Sequence, residues 1–387
     1  LVVATVLCAS GAAAQNLPRC PNPIAVERAS DTASANSAVA NAAVDPACTG
    51  RPAQEIIREA AKTLSGPPGV VVVAAGGFTG ALMSRLDGAQ EQAAVDVGGG
   101  GPMGLGVKTK SQQRSQPIAP SSAVSVYAMG TFAGGHRSDL PDAVGLDYHV
   151  KAGTVGMEYR ATRNLILGLA GNVVTGSADL NNGAGVDVAA LQMAIYLSYA
   201  TKLWFADGLM SYGRFDLDTV RPGQNPGSPV LGSTGGDGYL LDLGGVRAGP
   251  IAGLSFSRTR VSGFTEIGDQ ALQVGSQAVD SVVGSAGVRF LAPFVAEGNV
   301  VIPYLNVTLE HQFGEAAHSV SVSLAAAGDS PILVAAPNFE TRTYGKVEGG
   351  VTLHLSPDLS ASISGATTFA RGEGNDHRLT TGLTYKF

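Results

Sequence analysis

Charge is scarce in this chain of 387 residues: Asp, Glu, Lys and Arg together make up 14%, against roughly 25% in soluble domains. Beyond the first residues there is also no run of about 18 apolar residues, so the sequence holds no helix able to span a bilayer. Mean hydropathy is nonetheless slightly positive, at +0.16. A chain poor in charge, rich in glycine (52 residues) and without helical spans fits a wall of strands whose two faces meet lipid and water, because alternating residues average out. The net charge of −6 and the lack of any Lys/Arg cluster argue against nucleic acid as a partner.

Histidine is missing from Gln15 to Ser121, which excludes a Ser-His-Asp triad within that segment. His136, His149, His311, His318, His354 and His377 are scattered, with no metal-ligand spacing. No G-x-S-x-G elbow occurs. Gly98 to Gly106 lacks the Lys-Ser/Thr ending of a phosphate loop and reads as a linker. We therefore expect no catalytic residue, no cofactor and no metal.

Leu1 to Leu7, then Ala12-Ala13-Ala14 before Gln15, look like the end of a secretory signal peptide, assigned to residues 1–14. Leu7 disfavours a lipidation site at Cys8, since a small residue is expected there. Export would leave Cys20 and Cys48, which either close a disulfide in an oxidising compartment or remain two thiols. Residues 15–77 are expected to be a short, partly disordered passenger. Within it, Pro52 to Leu64 has the makings of a helix and Gly69 to Ala75 those of an apolar strand. Residues 78–120 are read as a second helix, Phe78 to Val95, with Leu82, Arg85, Leu86 and Ala89 at helical spacing, followed by the Gly-rich linker.

From residue 121 to 387 the pattern becomes segments of ten to fourteen residues with period-two alternation. In Ala189 to Tyr199, Leu191, Met193, Ile195, Leu197 and Tyr199 oppose Gln192 and Ser198. In Val301 to Phe313, Leu305, Val307 and Leu309 oppose Asn306, Thr308 and Glu310. Twelve segments begin near Val124, Asp147, Arg163, Val188, Leu203, Gly236, Ile251, Gln277, Val301, Arg342, Asp358 and Asp376. The predicted fold is all-β: a twelve-stranded antiparallel transmembrane barrel preceded by a helical pore or linker segment.

Tight connections at Arg160 to Thr162, Ala200 to Lys202, Ala248 to Pro250 and Ser356 to Pro357 alternate with long ones, such as Thr219 to Gly235 and Glu315 to Thr341. That is the asymmetry between periplasmic turns and outer loops. Ala292 to Asn299 is longer than this rule expects. Tyr159, Tyr199, Trp204, Phe290 and Phe387 are predicted at the periplasmic rim, and Phe132, Tyr148, Tyr239, Phe264, Phe313 and Phe369 at the outer rim. The second strand changes phase between Ala152 and Val155, read as a bulge or an error of register.

Twelve strands about 4.8 Å apart and tilted about 40° give a diameter of about 24 Å, leaving about 12 Å inside the side chains. A helix of about 10–12 Å fits that space, so Phe78 to Val95, or the linker after it, is expected to thread the lumen. Glu310, Lys346, Glu348 and Arg378 are the lumen-facing candidates, expected to pair with one another.

Taken as a set, Gly156 to Thr175, Gly208 to Asp218, Ser255 to Gly268, Ala278 to Phe290, Ile302 to Gly314 and the ending Gly382 to Phe387 resemble the autotransporter β-domain, the translocator of type V secretion. The terminal Tyr385 and Phe387 look like the signal read by the outer-membrane barrel assembly machinery. The resemblance implies a monomeric, non-enzymatic outer-membrane translocator that exports or displays its N-terminal passenger, with membrane lipid, the assembly machinery and periplasmic chaperones as partners. The alternative is a plugged or narrow surface channel whose outer loops bind a ligand or host surface. Relatives with an esterase passenger carry a Gly-Asp-Ser-Leu block, which is missing here. Others cut the pore helix at an Asn pair; Asn181-Asn182 instead falls in an outer loop and reads as a turn. Only about 100 residues lie between the signal sequence and the barrel, without a solenoid repeat.

Overall fold

Where every second residue is apolar, a strand can pair on both edges while one face meets hydrocarbon, and backbone groups in lipid have no other partner than a neighbouring strand. In the computed structural model, twelve segments satisfy this together: β1 (Val124–Arg137), β2 (Leu146–Arg160), β3 (Leu165–Leu180), β4 (Gly185–Ala200), β5 (Phe205–Pro222), β6 (Pro229–Gly245), β7 (Pro250–Val261), β8 (Gln277–Leu291), β9 (Asn299–Gln312), β10 (Thr343–His354), β11 (Leu359–Phe369) and β12 (Asp376–Lys386). The structure describes 123–140, 143–201, 204–223, 228–245, 249–268, 270–296, 299–314, 317–325, 331–337 and 341–387. Upstream it describes residues 57, 60, 62, 63, 71 and 76–86, and the backbones of Thr5–Leu7 and Arg19–Pro21, which pair with each other.

Each strand runs antiparallel to its neighbours in sequence, and β12 returns to β1 from Asp376↔Gly135 to Lys386↔Ser125. The sheet is thus a closed barrel with no lateral edge to solvate. On β4, Leu191, Met193, Ile195 and Leu197 lie 44–65% exposed on the outer wall, while Gln192, Tyr196 and Ser198 are buried within. The eight steps from Leu191 to Tyr199, at about 3.4 Å each and tilted about 40°, rise about 21 Å, close to the ~25 Å apolar band of such barrels. Tyr159, Tyr199, Trp204, Phe290 and Phe387 are exposed at the rim that carries the chain termini of the barrel. Phe132, Tyr239, Phe313 and Phe369 are exposed toward the other rim.

Several sequence expectations need correcting. Tyr148 and Phe264 are not girdle residues: Tyr148 is buried inside the wall, and Phe264 packs in a separate sheet above it. β2 has no bulge, since its register on β1 runs unbroken through Ala152↔Thr131, Gly153↔Gly130, Thr154↔Met129 and Val155↔Ala128. The apparent change of phase arises because Leu146, Tyr148 and Val150 turn apolar side chains inward beyond the lipid band, while His149 and Lys151 face out. β6 starts at Pro229, so much of Thr219 to Gly235 continues the ladder as Val220↔Leu231 and its neighbours. After β8, the chain folds back as Phe294–Ala296 onto Asn299–Val301, which accounts for the long connection there. At Val71 the backbone is helical rather than extended.

The largest departure is the segment Glu315 to Thr341. Rather than a loop, it forms the hairpin Ala317–Leu324 and Ile332–Pro337, which joins Leu272–Val274 and Phe264–Thr265 in a four-stranded outer sheet. Its run His318-Ser319-Val320-Ser321-Val322-Ser323-Leu324 alternates perfectly, and Val320, Val322 and Leu324 are buried.

Candidate functional site: the occupied lumen

The residues 76–86 form a helix, α1. Phe78, Leu82 and Leu86 recur every four residues and, with Ala81, form one apolar stripe. All four are 0–1% exposed, against Tyr127, Met129, Ala170, Ala194, Tyr196, Leu209 and Leu240 on β1 and β3 to β6. The expected pore helix is therefore inside the barrel over the described part of Phe78 to Val95; residues 87–95 lie outside the described residues. The stripe tells which wall it rests on.

α1 also carries polar side chains, Arg85 beside the apolar stripe and Ser84 on the face away from it, and both meet polar groups of the wall. Arg85 sends Nε and Nη2 to the two carboxylate oxygens of Glu158 on β2, at 2.9 and 2.7 Å, and donates to Thr384 of β12. Its guanidinium lies 3.9 Å from the centre of the Tyr127 ring. The Tyr196 hydroxyl donates to Tyr127 and lies 3.1 Å from Glu158. One residue back, the Ser84 hydroxyl bonds the Tyr304 hydroxyl at 2.6 Å and Ser364 at 3.0 Å. Such bidentate, charge-assisted contacts are the strong class of hydrogen bond. α1 is thereby fixed in rotation as well as depth.

Gly80 of α1 faces Arg378 of β12. A Cβ on it would overlap the guanidinium, so a larger side chain fits there only if the end of that arginine moves aside. Arg378 donates to Glu348 at 3.0 Å, and Lys346 lies 3.7 Å from Glu348 and 3.5 Å from Glu310. The four lumen candidates of the sequence thus fall in one ion-pair chain across β9, β10 and β12, ending at α1. Sequence reasoning missed Glu158, the carboxylate that holds Arg85. The alternation of β2 carried the signal, since Glu158 lies between the outward Met157 and Tyr159. It also missed the ladder Thr154–Asn172–Gln192, with bonds of 2.9 and 2.7 Å lining β2 to β4.

Farther along the lumen, Val71 is buried among Leu146, Tyr148, Val150, Val174, Leu217 and others. At the loop-bearing end, Asn182 in the β3–β4 turn donates to the Thr63 hydroxyl at 2.7 Å. Ile57 and Ala60 pack into the core of the outer sheet. Read in order, Ile57, Ala60 and Thr63, then Val71, then residues 76–86 descend from the loop-bearing end toward the end where β1 begins.

Two further ion-pair groups brace the loop-bearing end. Arg221 grips Glu266 at 2.7–3.0 Å, both buried, and the Leu272 amide donates to the same carboxylate. Asp376 accepts from Arg137, Arg371 and the Tyr148 hydroxyl. Beside it, Glu373 accepts from Arg371 at 2.8 Å and from the Thr341 amide at 3.1 Å. Burial pushes the Glu373 carboxyl up, but the bonds from Arg371 and Thr341 outweigh it and leave its pKa below the ordinary value.

Tyr385 and Phe387 lie at the rim of the chain terminus, exposed outward, with ring centroids 5.1 Å apart. Among the described residues no three His, Cys, Asp or Glu side chains group as metal ligands. The pairing of Cys20 with Cys48 lies outside the described residues.

A family model described as autotransporter beta-domain matches residues 126–366, more than half of the chain. Among solved structures, the fold is similar to the translocator domain of autotransporter NalP from Neisseria meningitidis, with a TM-score of 0.55 and 16% identity over 70% of this chain and 90% of that one. It is also similar to the beta domain of the Bordetella autotransporter Brka, with a TM-score of 0.50 and 18% identity over 68% of this chain and 100% of that one. No curated protein matches this chain in sequence.

Proposed function

Since this chain belongs to the autotransporter β-domain family, whose barrels are translocators of the outer membrane, we propose that its barrel carries the segment ahead of α1 through the lumen and holds it at the cell surface. The observation that supports this reading is the order of contacts along the lumen. Short turns and the chain termini of a barrel face the periplasm, and long loops face outward. Residues 57 and 60 pack on the outer-loop sheet, Val71 lies below them, and Arg85 bonds side chains near the periplasmic ends of β2 and β12. A chain so threaded has its N-terminal side outside, as it stands after export.

The role is one of passage and display, without a catalytic step. Its driving force is the free energy of assembly and of folding outside, since the periplasm supplies no nucleotide. We propose that Tyr385 and Phe387 serve recognition by the barrel assembly machinery, and that the barrel works as a single chain. An epitope inserted next to Cys48 tests the reading. In intact cells it should be removed by added protease. If it stays protected while the Ala317–Pro337 hairpin is cleaved, export of this segment does not occur.

A further inference from the structure

The outer sheet is built from two connections, β7–β8 and β9–β10, that the barrel itself does not need for closure. Its four strands could have capped the mouth alone, yet their buried face is completed from elsewhere in the chain. Leu272, Val274, Val320, Val322, Leu324, Val334 and Ala336 enclose Ile57, itself 7% exposed, with Ala60, one helical turn on, against the same cluster. Thr63, two turns from Ile57, is held by Asn182 from the β3–β4 turn on the other side of the mouth. The sheet is in turn tied down to the barrel. Leu231 of β6 bridges Ile267, Glu266 is locked on Arg221 of β5, and His318 bonds Gln277 at the top of β8.

We infer that this sheet is a docking surface for Ile57 and Ala60 of the emerging segment, a clamp that closes on the passenger once it is through and keeps it from sliding back or drifting away. The inference rests on the export reading above. Its physical ground is that the apolar cluster cannot be completed until residues 57 and 60 have reached the outer side. A segment still in the periplasm leaves Val322 and Leu272 without their neighbour, and burial of apolar area is favourable only on arrival. The clamp therefore acts in one direction. It also makes the outside state of this segment lower in free energy than the inside state.

Trypsin added to intact cells tests this, read by mass spectrometry of the released and retained ends. An arginine within the epitope inserted next to Cys48 serves as the reference site, and Lys62 as the clamped site. In the otherwise wild-type chain the epitope should be cut at least tenfold faster than Lys62, because cleavage in a packed helix needs local opening. Ile57→Asp, which leaves sheet and barrel sequence untouched, should speed cleavage at Lys62 about tenfold or more. Val322→Asp should do the same from the sheet side, with barrel folding followed by resistance to unfolding in cold detergent. Equal cleavage at the epitope and at Lys62, or no change in Ile57→Asp, would overturn the clamp while leaving export intact. Protection of both sites until the outer membrane is permeabilised would instead overturn the export reading, and the clamp with it.

Discussion

The bond between Arg85 and Glu158 makes a quantitative demand on the plug. Both side chains are largely buried, at 12% and 7% exposure, and two charge-assisted hydrogen bonds join them. Glu158→Gln keeps the shape but leaves Arg85 without its anion. Hydrogen bonds to charged groups contribute about 1.5–3 kcal/mol each, and breaking a buried pair costs about 3–5 kcal/mol. Part is recovered, because Arg85 retains Thr384 and the Tyr127 ring, and because a gap lined by Ser125, Arg160, Thr384 and Lys386 adjoins it. A net loss of about 2–3 kcal/mol follows for the seated helix, which multiplies the unseated population about 30- to 150-fold. Single-channel recording in planar bilayers reads this as a rise in open fraction, while thermal unfolding of the barrel stays near wild type. The double variant Arg85→Met, Glu158→Gln, with neither charge stranded, should open less often than Glu158→Gln alone. A coupling energy below about 0.5 kcal/mol in that double-mutant cycle, the level of independent sites, would refute the argument.

Other consequences can be checked with similar means. Gly80→Val should push Arg378 off Glu348 and raise the open fraction about tenfold or more. Gly80→Ala should do less, because the end of an arginine side chain can swing aside. Arg221→Ala strands the buried Glu266 carboxylate; about 3–5 kcal/mol of local stability should be lost, seen as faster amide exchange at Ile267 and Leu272 with the barrel melting point little changed. Glu373 has a folded pKa below the ordinary carboxylate value, so its stabilising contribution is full above about pH 4.3 and is lost as pH falls through the folded value. Pepsin should therefore cleave the connections at Thr341 and Gly372 increasingly below about pH 4, and a loosening that grew from pH 5 to pH 8 would contradict this. Deleting Phe387 should lower the amount of folded barrel in the membrane several-fold, measured by gel mobility with and without heating.

Strand alternation was readable because a residue's face in a strand depends only on its parity, so Val124, Gln277 and Asp376 could be named as strand starts without any partner. The rule misled where the water and lipid boundary was assumed rather than known. On β2, apolar Leu146, Tyr148 and Val150 face inward above the membrane, so hydropathy changed phase although the register did not. The outer sheet is hard to read from sequence because the alternation within Glu315 to Thr341 is confined to the seven residues from His318 to Leu324, in a stretch that also holds Pro, Gly and Ala. Glu158 escaped notice because a lone carboxylate in a strand is informative only once the residue facing it is known.

What the sequence alone determined is a matter of local pattern: twelve two-faced strands, a terminal aromatic, and a helix with an apolar stripe short enough to fit within them. Which carboxylate receives Arg85, which side chain faces Gly80, and where Ile57 finds its cover were decided only by the tertiary structure. The reason is physical. Alternation is set by chain geometry over a few residues, whereas the partner across a lumen depends on barrel closure, register and the depth of the helix, which join positions as far apart as Ser84 and Ser364.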